Sequence, residues 1–130
     1  GNWESKQGSS MRLASFSIPY SRGFGDLSII KLSGDAGGLK ANVNRWRKQL
    51  NLSPQNKNEI EKNLIKKNGK LGFYHMIKII NHELDSAFIC SIMPYNNETI
   101  FVKVSLHSDG LSEVIDDFVK FCSSINNQLN

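Results

Sequence analysis

The chain has 130 residues, 39% of them hydrophobic and 22% charged, a composition typical of a folded domain rather than a disordered chain. This length suits one hydrophobic core, so we expect residues 1–130 to form a single domain. No apolar run in the sequence approaches the roughly 20 residues that a membrane-spanning helix needs. The formal net charge is +4, and the first 70 residues hold 13 Lys and Arg against 5 Asp and Glu. This basic excess fits either a binding surface or an ordinary solvated helix face.

The first elements are predicted to be an extended lead-in and two strands. Residues 1–10 are polar apart from Trp3, and residues 11–18 then alternate between polar and apolar side chains, which predicts a strand. Residues 27–32 are predicted to form a second strand, which makes a hairpin with the first through a loose loop of about eight residues. The alternation of the first strand places Leu13, Ser15 and Ser17 on one face and Arg12, Ala14, Phe16 and Ile18 on the other.

A glycine-rich turn over residues 34–38 separates the second strand from a helix. Apolar side chains then recur at helical spacing, so one stripe of the helix should face the core. A polar stripe of Asn42, Arg45 and Gln49 lies beside it. A second, short and very polar helix is predicted over residues 56–67. The members of the apolar stripe are Leu39, Val43, Trp46 and Leu50.

The apolar pattern changes after residue 70. Three β-rich runs, residues 71–80, 86–93 and 99–106, are separated by turn-like segments and predict an antiparallel meander. A last helix is predicted from about Leu111, and residues 126–130 should fray. The order β-β-α-(α)-β-β-β-α predicts an α+β fold, an α/β/α-type sandwich with a five-stranded, mainly antiparallel sheet.

The glycine turn is the first candidate site. Gly34, Gly37 and Gly38 bring backbone N–H groups beside the positive end of a helix, an arrangement that binds anions. The turn lacks both the G-x-G-x-x-G spacing and the ending of a P-loop, and Asp35 would repel a phosphate. A purely structural turn and a small anion site both stay open.

Other side chains give little sign of catalysis or metal binding. His75, His82 and His107 lie on or beside separate strands without the spacing of a zinc site. No nucleophile motif occurs, so we expect no metal and no cofactor, and we favour a protein that is not an enzyme. Cys90 and Cys122 fall at apolar positions, which predicts two buried free thiols, with a disulfide as the alternative.

Three segments together resemble a group of small bacterial proteins that are largely uncharacterised and frequent in planctomycetes. They are Trp3 with the run Ser9 to Phe16, the block Gly37-Gly38-x-x-Ala41-Asn42-Val43-Asn44-Arg45-Trp46, and the strand from Ile100 to Val104 with the helix that carries Phe118 and Phe121. The resemblance implies export or a lipid anchor, hence an extracytoplasmic location. The arrangement also resembles the PsbP-type fold, whose members mostly bind other proteins. This chain departs from the group over residues 94–98.

Our leading hypothesis is a non-enzymatic extracytoplasmic binding module for an unidentified protein partner, with residues 34–49 as its surface. The expected exposed contacts are Asn42, Asn44, Arg45 and Gln49. The alternative is a small-ligand or anion pocket, with or without catalysis, formed by the glycine turn and a histidine such as His75. A weaker alternative is binding of nucleic acid or an acidic partner, and a membrane contact is expected only through a lipid anchor. The cations of that weaker alternative are Lys57, Lys62, Lys66, Lys67 and Lys70.

Overall fold

A computed structural model describes residues 11–126, in which six antiparallel strands form one open sheet. The strands are β1 (Met11–Tyr20), β2 (Gly23–Ser33), β3 (Ile65–Gly69), β4 (Gly72–Asn81), β5 (Ser86–Tyr95) and β6 (Glu98–Leu106). Their order across the sheet is β1-β2-β6-β5-β4-β3, which makes β1 and β3 the edges. The helices are α1 (Leu39–Gln49), α2 (Lys57–Asn63) and α3 (Leu111–Ser124), the last preceded by a 3-10 turn (Ser108–Gly110).

Helices cover both faces of this sheet. On one face, here called the α3 face, Phe118 of α3 packs into a cluster with Ile29 and Val102. On the other, the α1 face, Trp46 of α1 packs in a second cluster that includes Ile60 of α2 and residues of β4, β5 and β6. The α+β class, the antiparallel sheet and its layering between helices are therefore confirmed. The meander of β4, β5 and β6 is also confirmed.

The prediction of five strands is wrong, because the chain forms an additional edge strand. The helix predicted over residues 56–67 stops at Asn63, and Leu64 already has extended backbone angles. Residues 65–69 then pair with β4, and Ile65 lies opposite Met76. Edge strands commonly carry lysines that discourage pairing with other chains, so such a strand lacks the apolar alternation that predicts strands.

The predicted hairpin of the first two strands is confirmed, but the prediction of a loose loop between them is wrong. β1 continues through Pro19 to Tyr20, and only two residues separate it from β2. With a two-residue turn, the closing pair Tyr20–Gly23 is a hydrogen-bonded pair, so its neighbour Pro19 directs its nitrogen away from β2. The missing N–H of proline therefore costs no hydrogen bond in the ladder.

The two cysteines are buried free thiols, as predicted. They belong to clusters on opposite faces of the sheet, Cys90 on the α1 face and Cys122 on the α3 face, which rules out the disulfide alternative. Burial raises the pKa of both thiols, that of Cys122 to about 12, so neither forms the reactive thiolate near neutral pH.

Two terminal predictions lie outside the described residues: the extended lead-in over residues 1–10 and all but the first residue of the tail over residues 126–130. Within the described part of the chain, none of the helices combines the length and the apolar character that crossing a bilayer requires.

Candidate functional site

The N–H groups of the glycine turn are already used inside the protein. Gly34 donates to the carbonyl oxygen of Asn97 at 2.8 Å. Gly37 donates to the side-chain oxygen of Asp35, and Gly38 to its carbonyl oxygen, each at 3.0 Å. All three glycines have φ between +60° and +96°, which favours glycine for steric reasons. These groups would have to break bonds of the turn before they could bind an anion.

Asn42 holds this turn against α1, and the prediction that it is exposed is wrong. Only 1% of its surface is accessible. Its Nδ2 donates to the carbonyl oxygens of Ala36 at 3.0 Å and Gly38 at 2.7 Å. Because these acceptors lie in the turn and at the start of the helix, the side chain fixes the angle at which β2 leads into α1.

Asn44 has a similar structural role between α1 and α2, so its predicted exposure is also wrong. Its side chain is half-buried, and both of its polar atoms bond to the backbone of Gln55: Nδ2 donates to the carbonyl oxygen at 2.9 Å, and Oδ1 accepts from the N–H at 2.8 Å. Arg47 supports the same connection by donating to the carbonyl oxygen of Ser53 at 2.6 Å. The Asn-Val-Asn-Arg-Trp block is thus largely a folding signature.

Replacing Asn42 by Ala should lower the free energy of unfolding by about 1–2 kcal/mol, because the buried side chain and its two hydrogen bonds to the carbonyl oxygens of Ala36 and Gly38 are lost. The exposed Arg45 on the same helix provides a matched control, and Arg45→Ala should change stability by less than about 0.5 kcal/mol. Urea unfolding of both variants measures the difference. Equal stabilities would show that Asn42 has no structural role.

The rest of the predicted polar stripe, Arg45 and Gln49, is exposed and borders an open part of the α1 face. Two adjoining hollows occupy this part, with volumes of about 340 and 420 Å³. Both hollows are lined by Arg12, Ser28 and Lys103. We call the site formed by Arg12, Ser28, Arg45, Gln49 and Lys103 the basic hollow.

The strands change character where they enter this open region. Residues that pair across neighbouring strands form a row on one face of the sheet. In the row of Lys103, the paired residues toward the β1 edge are Ser28 and then Ser15, whereas the paired residue on β5, beneath the helices, is the buried Cys90. The next row on the same face begins beneath the helices with Phe88 on β5. In the open region it continues with polar residues, Ser105 on β6, Asp26 on β2 and Ser17 on β1. Hydroxyl groups, one carboxylate and cations therefore line the part of the sheet that the helices leave open.

A β-bulge places Arg12 in the basic hollow. Arg12 pairs with Ile30 and Ala14 with Ile29, so Leu13 is an extra residue between two registered pairs. Since β1 alternates normally after the bulge, the extra residue puts Arg12 on the α1 face, whereas Leu13 packs against the α3-face cluster. The predicted faces of Arg12 and Leu13 are wrong for this reason, and the bulge brings a third cation to Arg45 and Lys103.

The three cations lie close enough to affect one another. Burial lowers the pKa of Lys103, and the charges of Arg45 and Arg12 lower it further, although Cys90 opposes them. Lys103 Nζ donates to Gln49 Oε1 at 2.9 Å and lies 4.1 Å from the centre of the Phe88 ring.

Within residues 11–126, neither arginine of the basic hollow forms an ion pair with a carboxylate. Arg12 donates to the Ser15 hydroxyl at 2.9 Å, and the Arg45 guanidinium lies 5.9 Å from the centre of the Trp46 ring. Among residues 11–126, no carboxylate oxygen comes within 4.0 Å of the charged nitrogens of these three cations. The basic hollow is therefore positively charged, and in the described part of the chain its cations make no ion pair, although Asp26 lines the adjoining hollow.

The other candidate residues are not brought together. His75 lies half-buried on β4 with its ring 5.5 Å from that of Phe73, and the two hollows beside the glycine turn are lined by other residues. The predicted lysine cluster is divided between the faces: β3 places Lys66 opposite His75 and Lys67 opposite Tyr74, which belong to opposite faces.

A polar cluster at one end of the sheet was not predicted. Asp85 Oδ1 accepts from the Ser108 hydroxyl at 2.6 Å, and Asp85 Oδ2 lies 3.2 Å from Arg22 and 3.6 Å from His107 Nδ1. Arg22 also pairs with Asp109. The Ser108 hydroxyl donates to Asp85 rather than to His107, so this is not the geometry of a catalytic triad. In the described segment no three His, Cys, Asp or Glu side chains are grouped to hold a metal ion.

This cluster should make stability depend on pH. Hydrogen bonds from Ser108, with the nearby charge of Arg22, lower the pKa of Asp85 despite some opposing burial. The stabilisation that ionised Asp85 provides is therefore fully present above the unfolded-state pKa of this carboxyl group. It is lost as the pH falls through the lower folded-state pKa. Asp85→Asn should reduce the thermal midpoint near pH 7, and the deficit should narrow below about pH 4. Thermal unfolding from pH 7 to pH 2.5 measures this, with the exposed Asp116→Asn as control. A deficit that is constant with pH would contradict it.

With this geometry described, the chain was compared with models of protein families, with curated proteins and with solved structures. No match was found in any of the three comparisons. The resemblance to exported bacterial proteins and to the PsbP-type fold therefore stays a prediction. Any functional proposal has to be argued from the site itself.

Proposed function

We propose that this protein is a binding module whose basic hollow receives an anionic group of its partner, such as a phosphate, sulfate or carboxylate. The observation that supports this is the convergence of Arg12, Arg45 and Lys103 on one concave surface, with no carboxylate of residues 11–126 within 4.0 Å of their charged nitrogens. Lysines and arginines usually face solvent or pair with acids. Three of them around one hollow create a local positive potential that attracts anions.

The energetics favour an anion in this position. The pKa of Lys103 is lowered because burial and two neighbouring cations disfavour its charged form. An anion bound between the cations would reverse the second effect and would accept charge-assisted hydrogen bonds, which are stronger than neutral ones. The two arginines could bind two oxygens of the anion through their planar guanidinium groups, while Lys103 acts as a point charge.

The proposed site includes part of the binding surface that the sequence predicted over residues 34–49. Arg45 and Gln49 retain their predicted place at a binding surface, because both line the hollow and Gln49 positions Lys103. In our proposal the anion site moves from the turn at Gly34 to the open part of the sheet. An extracytoplasmic location remains part of the proposal on the strength of the resemblance alone.

Amide chemical shifts measured while inorganic phosphate or sulfate is added at low ionic strength test this proposal. Arg12→Gln and Lys103→Met should each weaken binding about tenfold or more, because each removes a charge-assisted contact. Lys62→Gln is a matched control: it removes one charge from the exposed surface of α2, outside the hollow, and should change affinity less than about twofold.

Two further readouts separate binding from folding. Lys103→Met should leave the thermal midpoint unchanged or raise it, because it removes a charge that its surroundings disfavour. The shifted amides should belong to β1, β2, β6 and the second half of α1. Equal weakening by Lys62→Gln and Lys103→Met would show that only net charge matters and would refute the proposed site.

A further inference from the structure

A second hollow, of about 280 Å³, lies on the opposite side of the sheet between β1 and α3. It is almost entirely apolar. Phe16 of β1 is 51% exposed there, although its ring meets that of Phe121 edge to face at 6.1 Å between centres. The exposed ring and the apolar hollow form one contiguous apolar surface, the kind that marks interaction sites. The lining residues are Phe16, Ile18, Leu27, Asp117, Phe118 and Phe121.

Among residues 11–126, the strand beside this hollow is paired on one side only, by β2. Tyr20 and Gly23 close a two-residue turn as a hydrogen-bonded pair, and such pairs alternate with non-hydrogen-bonded pairs along an antiparallel ladder. The backbone N–H and C=O groups of Ile18 and Phe16 therefore point toward β2, like those of Tyr20. The alternate residues Ser15 and Ser17 therefore direct their N–H and C=O groups outward, at the edge of the sheet. Among the described residues, the outward N–H and C=O groups of Ser15 and Ser17 are thus positioned to pair with an added strand.

We propose that an extended segment of a partner protein adds to β1 as an additional strand and inserts a large apolar side chain into the hollow between β1 and α3. In this mode of recognition, main-chain hydrogen bonds to an edge strand supply affinity, and a neighbouring pocket that receives alternate side chains supplies specificity. The site is separate from the basic hollow, which lies on the other face of the sheet.

The charge around the hollow indicates what kind of segment fits. Asp117 lines the hollow and its neighbour Asp116 is exposed, and among residues 11–126 neither carboxylate lies within 4.0 Å of a cation. The third carboxylate of α3, Glu113, is occupied by the hydroxyl and backbone N–H of Ser21. We therefore expect a segment with a Lys or Arg close to the inserted apolar residue.

A nine-residue probe peptide that alternates Phe with Thr tests the proposal with the full chain. One Lys replaces the Phe two residues from the central Phe, so that both side chains lie on the same face of the added strand. Its addition should shift the amides of Ser15 and Ser17 and slow their hydrogen exchange. Ser17→Pro should abolish binding while the amides outside β1 stay unchanged, because this proline removes only an outward N–H. Phe121→Ala should weaken binding about tenfold by enlarging the pocket.

Charge variants and alternative occupants complete the test. Asp117→Lys should weaken binding of the Lys-containing probe more than Asp116→Lys does, and the two variants should bind a probe without Lys equally. Binding that survives Ser17→Pro would overturn strand addition. Slow exchange at Ser15 and Ser17 in the protein alone would mean that the edge is already covered, which would also overturn the proposal. If that protection were lost on dilution, the segment covering the edge would belong to a second copy of this chain. If it were lost in Trp3→Ala, the covering segment would be residues 1–10.

Discussion

Replacing Trp46 by Ala should lower the free energy of unfolding by about 3–5 kcal/mol, as is typical when a large buried aromatic side chain is removed. Trp46 is 3% exposed and packs in the cluster that holds α1 and α2 on the sheet. Its ring meets that of Phe101 at 5.3 Å between centres, nearly perpendicular, which is a favourable aromatic geometry. The small helix α2 adds only Ile60 to the fully buried residues of this layer, so little else can compensate.

Urea unfolding measures this loss, and Trp46→Phe is the matched control because it keeps an aromatic ring near Phe101. We expect Trp46→Phe to lose less than half as much free energy of unfolding as Trp46→Ala loses. The same substitution bears on function, since Arg45 lies over the indole at the border of the basic hollow. Trp46→Ala should therefore weaken anion binding even where the protein remains folded. A loss below about 1 kcal/mol would contradict the assignment of Trp46 to the core.

Replacing Gly69 by Ala should destabilise the protein by about 1–3 kcal/mol, the cost of overpacking a filled site. An added Cβ would lie 2.8 Å from Cα and 3.0 Å from the carbonyl oxygen of Ser123, and these backbone atoms cannot rotate away. The C-terminal turn of α3 would have to move from the β3–β4 hairpin. That movement would also stretch the 3.0 Å hydrogen bond from the N–H of Lys70 to Ser123.

The sign of this effect is the informative part. Gly69 lies in a strand, where exchanging glycine for alanine without a clash would stabilise a protein by about 0.4–1 kcal/mol through the unfolded state. Asn68→Ala, on the same short strand, is the control and should change stability by less than about 0.5 kcal/mol. Thermal and urea unfolding of the two variants separate these cases. A stabilised Gly69→Ala would show that α3 does not pack closely on this hairpin.

The sequence predicted those elements whose side chains repeat regularly against a core. The stripe that contains Val43 and Trp46 predicted α1, because helical spacing places both on one side. The strand β3 was missed because Ile65 is the one large apolar residue of this lysine-rich edge, and even Ile65 is exposed. No local pattern distinguishes such a segment from the end of a polar helix.

The candidate site was predicted less well, because it depends on tertiary structure. Asn42 was expected at the surface, but its hydrogen-bond acceptors lie in a turn whose path only the folded chain defines. Arg12 was assigned to the wrong face because a bulge of one residue leaves no trace in the alternation. The basic hollow itself exists because the helices end before they cover β1 and β2, which no stretch of sequence encodes locally.

The division of the helices between the two faces also separates charge. Helix α1 carries four cations and no carboxylate, whereas α3, on the opposite face, carries three carboxylates and one cation. Because the two helices lie on opposite sides of the sheet, together they contribute an electric dipole that runs through it. In the field of an anionic partner the molecule will turn its α1 face forward before contact. The distribution of charge between the two faces thus orients the molecule during its approach to an anionic partner, and the same α1 face carries the basic hollow.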